Sequence, residues 1–161
     1  ELENTLKKNK LGDLDVFITG MGTGGTIMGF HHYFSQKKND FRAYPILPDK
    51  NKDGEHRIEG IGDSFIPNIV DLQALSPILR VKDSDAINIA RQINKLGLSV
   101  GISSGANVFG AILKASGIED GSNVATILCD DNKKYLTTDL CSNTEEAASR
   151  DIKILDFELL P

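Results

Sequence analysis

Ile18-Thr19-Gly20-Met21-Gly22-Thr23-Gly24-Gly25-Thr26 is the stretch that decides the fold of this chain. A short apolar run, 16–18, leads into it, and apolar residues at helical spacing follow it from Ile27 onward. A strand, a glycine-rich turn and a helix N-terminus in this order bring free backbone N–H groups and the positive end of the helix dipole to one point. We therefore expect an anion site here, and a phosphate as its anion.

The residue types of this stretch suit a phosphate. Glycines let the backbone approach an anion without a Cβ atom in the way, and Thr23 and Thr26 add two hydroxyl donors. A threonine on each side of the Gly24-Gly25 pair favours a compact monophosphate over a pyrophosphate.

Two other interpretations of the glycines stay open at this point. Gly20, Gly22 and Gly25 match the dinucleotide fingerprint G-x-G-x-x-G, and Asp49 follows the next strand candidate, where a ribose-binding acid would lie. The turn could also serve only to pack a strand against a helix. A Walker A loop is excluded, because no Lys-Ser or Lys-Thr follows the glycines.

The composition is that of an ordinary soluble globular protein. The chain has 161 residues, 40% of them hydrophobic and 25% charged, and a formal net charge of -5. This charge gives no basic field for nucleic acid or anionic lipid, and no apolar run is long enough for a bilayer. Cys129, Cys141 and the three histidines form no zinc or disulfide pattern. We expect a cytoplasmic protein without a metal site, a nucleic-acid partner or a membrane partner.

Strand and helix candidates alternate along the chain. Strands are predicted at 14–19, 42–47, 78–81, 98–102 and 123–129, and helices at 1–9, 25–36, from a cap at Asp83 or Ser84 to Gly97, and from 105 to 117. Pro45 lacks an N–H and indicates an edge strand or a bulge. The alternation predicts an α/β fold, a three-layer parallel sheet with helices on both faces. The segment 152–160 could pair as a strand or dock as a helix.

Three polar segments each follow a predicted strand directly: Gly20 to Thr26, Ser103 to Gly105, and Asp130 to Tyr135. Because ligands of parallel sheets bind beyond the carboxyl ends of the strands, these segments can share one edge of the sheet. The segment 58–67 is irregular and partly apolar, which predicts a loop packed against another surface, such as that of a ligand.

Four motifs in order resemble the cysteine synthase family. They are Gly22-Thr23-Gly24-Gly25-Thr26; Glu59-Gly60-Ile61-Gly62 with Phe65-Ile66-Pro67; Gly101-Ile102-Ser103-Ser104-Gly105-Ala106; and Asp130 with Tyr135-Leu136 and Thr138. The resemblance covers about residues 11 to 140. Members of this family, which includes cystathionine β-synthases, are pyridoxal-phosphate enzymes of the tryptophan-synthase-β fold type, also called fold type II.

The resemblance implies a set of site residues. Gly22, Thr23, Gly24, Gly25 and Thr26 would hold the phosphate of pyridoxal 5'-phosphate, and Gly60, Ile61 and Gly62 would lie near the substrate. The family carries a serine bonded to the pyridine nitrogen where this chain has Asp131. Asp131 would then pair with that nitrogen, or else turn outward to solvent or Lys133. Ser103 and Ser104 would cap a helix or support the site from behind.

The resemblance also implies a reaction, β-replacement on a serine-derived amino acid. O-acetylserine plus sulfide giving cysteine is the first assignment. Alternatives are cystathionine synthesis, lanthionine formation or cysteine desulfhydration with release of hydrogen sulfide, diaminopropionate synthesis, and a non-catalytic module that keeps only the cofactor domain. The expected partners are amino-acid and thiol or sulfide substrates and a second copy in a homodimer.

One part of the family pattern is absent. The Schiff-base lysine and the Thr/Ser-x-Gly-Asn-Thr-Gly segment that binds the substrate carboxylate precede these motifs, and neither Lys82 nor Lys95 stands in the lysine motif. The resemblance therefore implies the C-terminal half of an enzyme, inactive without its N-terminal half. Residues 1–140 would be the C-terminal part of the large cofactor domain and 141–161 a tail.

Overall fold

The computed structural model describes residues 1–50, 54–62, 65–142 and 147–160. Its helices are α1 (Leu2–Lys8), α2 (Gly25–Ser35), α3 (Asp83–Lys95) and α4 (Ile102–Ala115), with a 3₁₀ turn at Asn132–Tyr135. Its strands are β1 (Val16–Gly20), β2 (Arg42–Pro48), β3 (Leu79–Val81) and β4 (Val124–Thr126). The predicted segment 58–67 and the tail 141–161 each include residues outside the described ranges.

The four strands form one parallel sheet in the order β3-β2-β1-β4. Side chains alternate across β1, so that Phe17 packs with α1 and α2 while Val16 and Ile18 pack with α3 and α4. Helices thus cover both faces, and the predicted α/β fold with three layers is confirmed. No helix of the described residues has the length and apolar character that crossing a bilayer requires.

The predicted strand at 98–102 is wrong. Val100 is buried, but its N–H donates to Asn94 Oδ1 at 3.1 Å and its carbonyl accepts from Asn94 Nδ2 at 2.9 Å. A side chain of α3 therefore satisfies the backbone groups that a sheet would otherwise pair. Gly101 caps α4, so Ser103 to Gly105 lie inside its first turn and do not follow a strand.

Two smaller predictions also fail. Lys82, in an extended conformation, is the N-cap of α3, and the predicted cap residues Asp83 and Ser84 are already helical. Pro45 lies in β2, which is an inner strand between β3 and β1. The proline is tolerated because its nitrogen faces the β3 side, where the register begins only with Ile46 and Leu79.

The tail takes neither of the two predicted forms. Its described residues 147–160 contain no helix or strand, and side chains of α3 hold them. Ser149 donates from its N–H and its hydroxyl to the buried Asp85 carboxylate, both at 2.6 Å. Gln92 donates to the carbonyl of Ile152 and accepts from the N–H of Ile154. Ile152 and Ile154 thus pack against the core of α3 and α4, whereas residues 155–160 are exposed.

Candidate functional site

The carboxyl edge of the sheet opens between β1 and β4. After β1 the chain enters α2 on one face, whereas after β4 it enters the 3₁₀ turn, whose Tyr135 packs with the α3 and α4 core on the other face. Adjacent strands whose chains leave toward opposite faces form a crevice at this edge, which is where open α/β sheets bind ligands.

One wall of the crevice is the phosphate loop, residues 20–26. Gly24 is the N-cap of α2 with φ 82°, and no side chain caps the helix. Within the described part of the chain, the N–H groups of Gly25, Thr26 and Ile27 meet no backbone or side-chain acceptor outside the helix. The Thr23 and Thr26 side chains are exposed beside them. These donors can bind an anion such as a phosphate.

Close contacts with neighbouring loops explain two of the glycines in this loop, and open space at a third leaves room for a ligand. A Cβ at Gly22 would lie 2.4 Å from the carbonyl oxygen of Gly60, and one at Gly24 would lie 2.2 Å from Cγ2 of Val70. At Gly25, by contrast, a Cβ would meet just one atom of the described residues within 4 Å, Thr23 Oγ1 at 3.8 Å. Protein therefore supports the loop at Gly22 and Gly24, and Gly25 faces open space where an anion fits.

The segment 54–62 lies directly on the phosphate loop. The N–H of Gly62 donates to the carbonyl of Met21 at 3.2 Å, and a Cβ at Gly20 would lie 2.5 Å from Ile61 Cγ2. Ile58 and Ile61 are buried in the core. The described residues of this segment therefore pack against other parts of the protein, as the sequence predicts for a loop of this kind. Gly60 to Gly62 lie at the carboxyl edge of the sheet.

Arg57 fixes this segment from the other side. Its backbone N–H and its Nε donate to Asp83 Oδ2 at 3.0 and 3.3 Å, and its Nη1 pairs with Asp139. Asp83 begins α3, and Asp139 follows the 3₁₀ turn. The segment is therefore anchored by the apolar side chains of Ile58 and Ile61 and by the two ion pairs of Arg57.

The second wall of the crevice is the turn after β4. Asp131 Oδ1 accepts from the N–H of Lys133 at 2.9 Å, and its Oδ2 lies 3.5 Å from Lys133 Nζ. The hydrogen bond from the Lys133 backbone and the charge of its side chain lower the pKa of Asp131. Of the two orientations predicted for Asp131, this contact matches the second, in which the carboxylate turns outward to solvent or to Lys133. A carboxylate with a lowered pKa stays ionised at neutral pH.

Asp130 holds this turn through two hydrogen bonds. Its carbonyl accepts from the N–H of Gly101 at 3.0 Å, and its Oδ2 accepts from the Tyr135 hydroxyl at 2.9 Å. Burial and this hydrogen bond raise the pKa of Tyr135. The turn is therefore held between the start of α4 and a buried phenol.

Two buried polar residues of α4 bind the backbone behind the crevice, a supporting role that was one of the two expected for Ser104 and was not predicted for Asn107. The Ser104 hydroxyl accepts from the N–H of Cys129 at 2.8 Å, and Asn107 contacts both Gly20 and Ile127. Neither side chain is exposed at all. The signal was the spacing of Ser104 and Asn107, which places two polar groups on the buried face of an otherwise apolar helix. Within the described ranges, no three His, Cys, Asp or Glu side chains are grouped as a metal site requires.

Comparisons with known proteins agree with this geometry. The family model of pyridoxal-phosphate dependent enzymes matches residues 1–130. Cysteine synthase B of Campylobacter jejuni is 40% identical over 134 residues, 80% of this chain and 44% of that protein. A cysteine synthase of Staphylococcus aureus is 32% identical over 136 residues, with the same coverage.

Solved structures give the same result. A hydrogen sulfide-producing enzyme from Fusobacterium nucleatum is 39% identical, with a TM-score of 0.83 over 91% of this chain and 45% of that one. O-acetyl serine sulfhydrylase isoform 3 from Entamoeba histolytica is 30% identical, with a TM-score of 0.78 over 91% of this chain and 46% of that one. The chain spans less than half the length of these relatives.

Proposed function

We propose, from the premise that this chain belongs to the pyridoxal-phosphate dependent enzymes, that it supplies the cofactor-phosphate wall of a cysteine synthase-type enzyme. The cofactor of this family is pyridoxal 5'-phosphate. One observation carries the proposal: among the described residues, the N–H groups at the start of α2 meet no acceptor outside the helix, and they follow β1, whereas the Asp131 carboxylate follows the adjacent strand β4 at the same edge of the sheet. A phosphate and a pyridine nitrogen need these two partners.

The roles of the residues follow from their chemistry. The N–H groups of Gly25 and Thr26 and the hydroxyls of Thr23 and Thr26 bind the phosphate, on a loop shaped by Gly22 and Gly24. Asp131 would accept a hydrogen bond from the protonated ring nitrogen through Oδ2, whose partner among the described residues is the exposed Lys133. When bound, the cofactor withdraws electrons from the α-carbon of the amino acid. Gly60, Ile61 and Gly62 border the substrate.

The proposed reaction is β-replacement of the acetate group of O-acetylserine by sulfide, which yields cysteine. The relatives named cysteine synthase support it. Release of hydrogen sulfide from cysteine, with or without lanthionine formation, is the second candidate. It is favoured by the 39% identity to an enzyme described as hydrogen sulfide-producing.

The family resemblance supports three further proposals. The lysine that holds the cofactor and the segment that binds the substrate carboxylate belong to an N-terminal half that is not part of these 161 residues. The complete enzyme is a cytoplasmic homodimer. The shared coverage of 44–46% of the relatives supports the first of these.

The test uses the complete protein and the isolated chain in parallel. With pyridoxal phosphate, we expect the complete protein to form cysteine from O-acetylserine and sulfide, and borohydride to fix the cofactor to one lysine. The isolated chain of residues 1–161 should be inactive and should show no specific reduced linkage. Sulfide release from cysteine without cysteine synthesis would instead select the second candidate. Inactivity of the complete protein on both substrates would leave a binding module.

The Asp131→Ser variant of the complete enzyme should change the cofactor's absorbance spectrum and raise replacement relative to elimination. A hydroxyl tolerates a neutral ring nitrogen, whereas the ionised Asp131 favours the protonated ring, which is the stronger electron acceptor. Spectra and product ratios measure both effects. Asp120→Ser, an exposed carboxylate before β4, is the control for loss of charge. Unchanged spectrum and products would make Asp131 only a cap of the 3₁₀ turn.

A further inference from the structure

The side chain of Asn107 takes the place of strand pairing between β1 and β4. The register of these strands ends with Ile18 and Thr126. Beyond it, the N–H of Gly20 donates to Asn107 Oδ1 at 2.7 Å, and Asn107 Nδ2 donates to the carbonyl of Ile127 at 2.8 Å. The amide thus lies between two strand ends that no longer bond to each other.

This position requires an amide. Oδ1 must accept from a backbone N–H and Nδ2 must donate to a carbonyl, so the orientation of the side chain is fixed by its two partners. Asn107 is fully buried, and a buried backbone group left unpaired is costly. An aspartate has no donor for Ile127 unless it is protonated, and a leucine has neither a donor nor an acceptor.

The two partners of Asn107 lead directly into the two walls of the crevice. Gly20 is the first residue of the phosphate loop, and Ile127 lies shortly before the turn at Asp130 and Asp131. One turn earlier on α4, Ser104 holds the N–H of Cys129. The N-terminal turns of α4 therefore fix the end of β4 at two points and the end of β1 at one.

We propose that Asn107 is a positioning residue that sets the width of the crevice, and with it the distance between the phosphate loop and Asp131. The inference rests on the proposed function, because pyridoxal phosphate would bind one wall through its phosphate and the other through its ring nitrogen. A rigid ligand bound at both ends depends on the separation of its two partners. Asn107 touches neither end of the ligand itself.

The experiment compares Asn107→Leu and Asn107→Asp with wild type in the complete protein. Asn107→Leu should bind pyridoxal phosphate about tenfold or more weakly, because both strand ends lose their partner. Pyridoxal and inorganic phosphate, each of which reaches one wall only, should bind as they do to wild type. Asn123→Leu is the control: the partly buried Asn123 side chain also links two backbone groups, the carbonyls of Leu11 and Asp13, but at the opposite edge of the sheet.

Asn107→Asp gives a second and independent readout. A protonated aspartic acid offers one donor and one acceptor, as the amide does, so the affinity of this variant for pyridoxal phosphate should approach that of wild type as the pH falls. Asn107→Leu should show no such recovery. If Asn107→Leu does not fold, the pH dependence of Asn107→Asp relative to wild type still tests the role of Asn107.

The outcomes separate this inference from the function on which it rests. Wild-type affinity in Asn107→Leu, equal losses for pyridoxal and pyridoxal phosphate, or no recovery of Asn107→Asp at low pH would each overturn the role of Asn107. If wild type binds no pyridoxal phosphate, or if a change at Gly24 leaves its affinity intact, the proposed site itself fails.

Discussion

Gly24→Val in the complete protein should weaken the binding of pyridoxal phosphate at least tenfold, about 1.4 kcal/mol or more. Gly24 has φ 82°, which a valine rarely adopts. A Cβ at this position would also lie 2.2 Å from Val70 Cγ2 and 3.3 Å from Ile69 Cγ2. The loop would have to move, and the N–H groups at the start of α2 would no longer point at the phosphate.

Fluorescence titration of the apo-protein measures this effect. Gly29→Ala is the matched control, because Gly29 lies in the same helix and a Cβ there has no atom within 4 Å. We expect its affinity to equal that of wild type. Circular dichroism of both apo-variants separates loss of the site from loss of the fold. Folded Gly24→Val with unchanged affinity would place the phosphate elsewhere.

Gly105→Ala should lower the free energy of unfolding by about 3 kcal/mol, at the upper end of the cost of overpacking. Its Cβ would lie 2.0 Å from the carbonyl oxygen of Ala86 and 2.9 Å from the backbone nitrogen of Ala90. Both atoms belong to the backbone of α3, so the two helices would have to separate. Since α4 carries Asn107, the crevice would be disturbed as well.

Urea unfolding of the apo-protein measures this loss, and Gly110→Ala in the same helix is the control. Its Cβ would meet Ile46 Cδ1 at 2.6 Å, the flexible end of a side chain that can turn away. Alanine gains about 1 kcal/mol of helix propensity over glycine in both variants, so the difference between them reflects the contacts alone. We expect a much smaller loss for Gly110→Ala. Equal losses in the two variants would show that contact with α3 is not what requires Gly105.

The conformation of residues 20–26 could be predicted from sequence because its information is local. The strand, the glycines and the helix that follow one another from Val16 to Ser35 create the donor cluster by themselves. The sheet layers followed in the same way from the alternation of strand and helix patterns. What the pattern could not show was that Gly22 and Gly24 are also shaped by Gly60 and Val70, which are distant in sequence.

The failures have a common cause in single side-chain contacts, which a residue pattern does not identify. The run 98–102 is short and mostly apolar. Such a run has the same residue pattern whether it is buried in a sheet or between two helices. Only the contact with Asn94 decided between them. Asn107 was missed for a similar reason, because its partner Gly20 lies 87 positions away. The spacing of Ser104 and Asn107 indicates buried polar side chains, but it does not show which distant strand ends they contact.

The position of β4 in the sheet has a consequence for the order of folding. Val16 pairs with Arg42, a near neighbour along the chain, whereas Thr126 donates to Ile18 across 108 positions. Closing a longer loop costs more entropy, about 0.6 kcal/mol for each doubling, so β1 and β2 should associate before β4 joins them. The crevice between β1 and β4 is then the last part of the sheet to form. A ligand that spans it can bind only the finished fold, and therefore stabilises the native state rather than an intermediate.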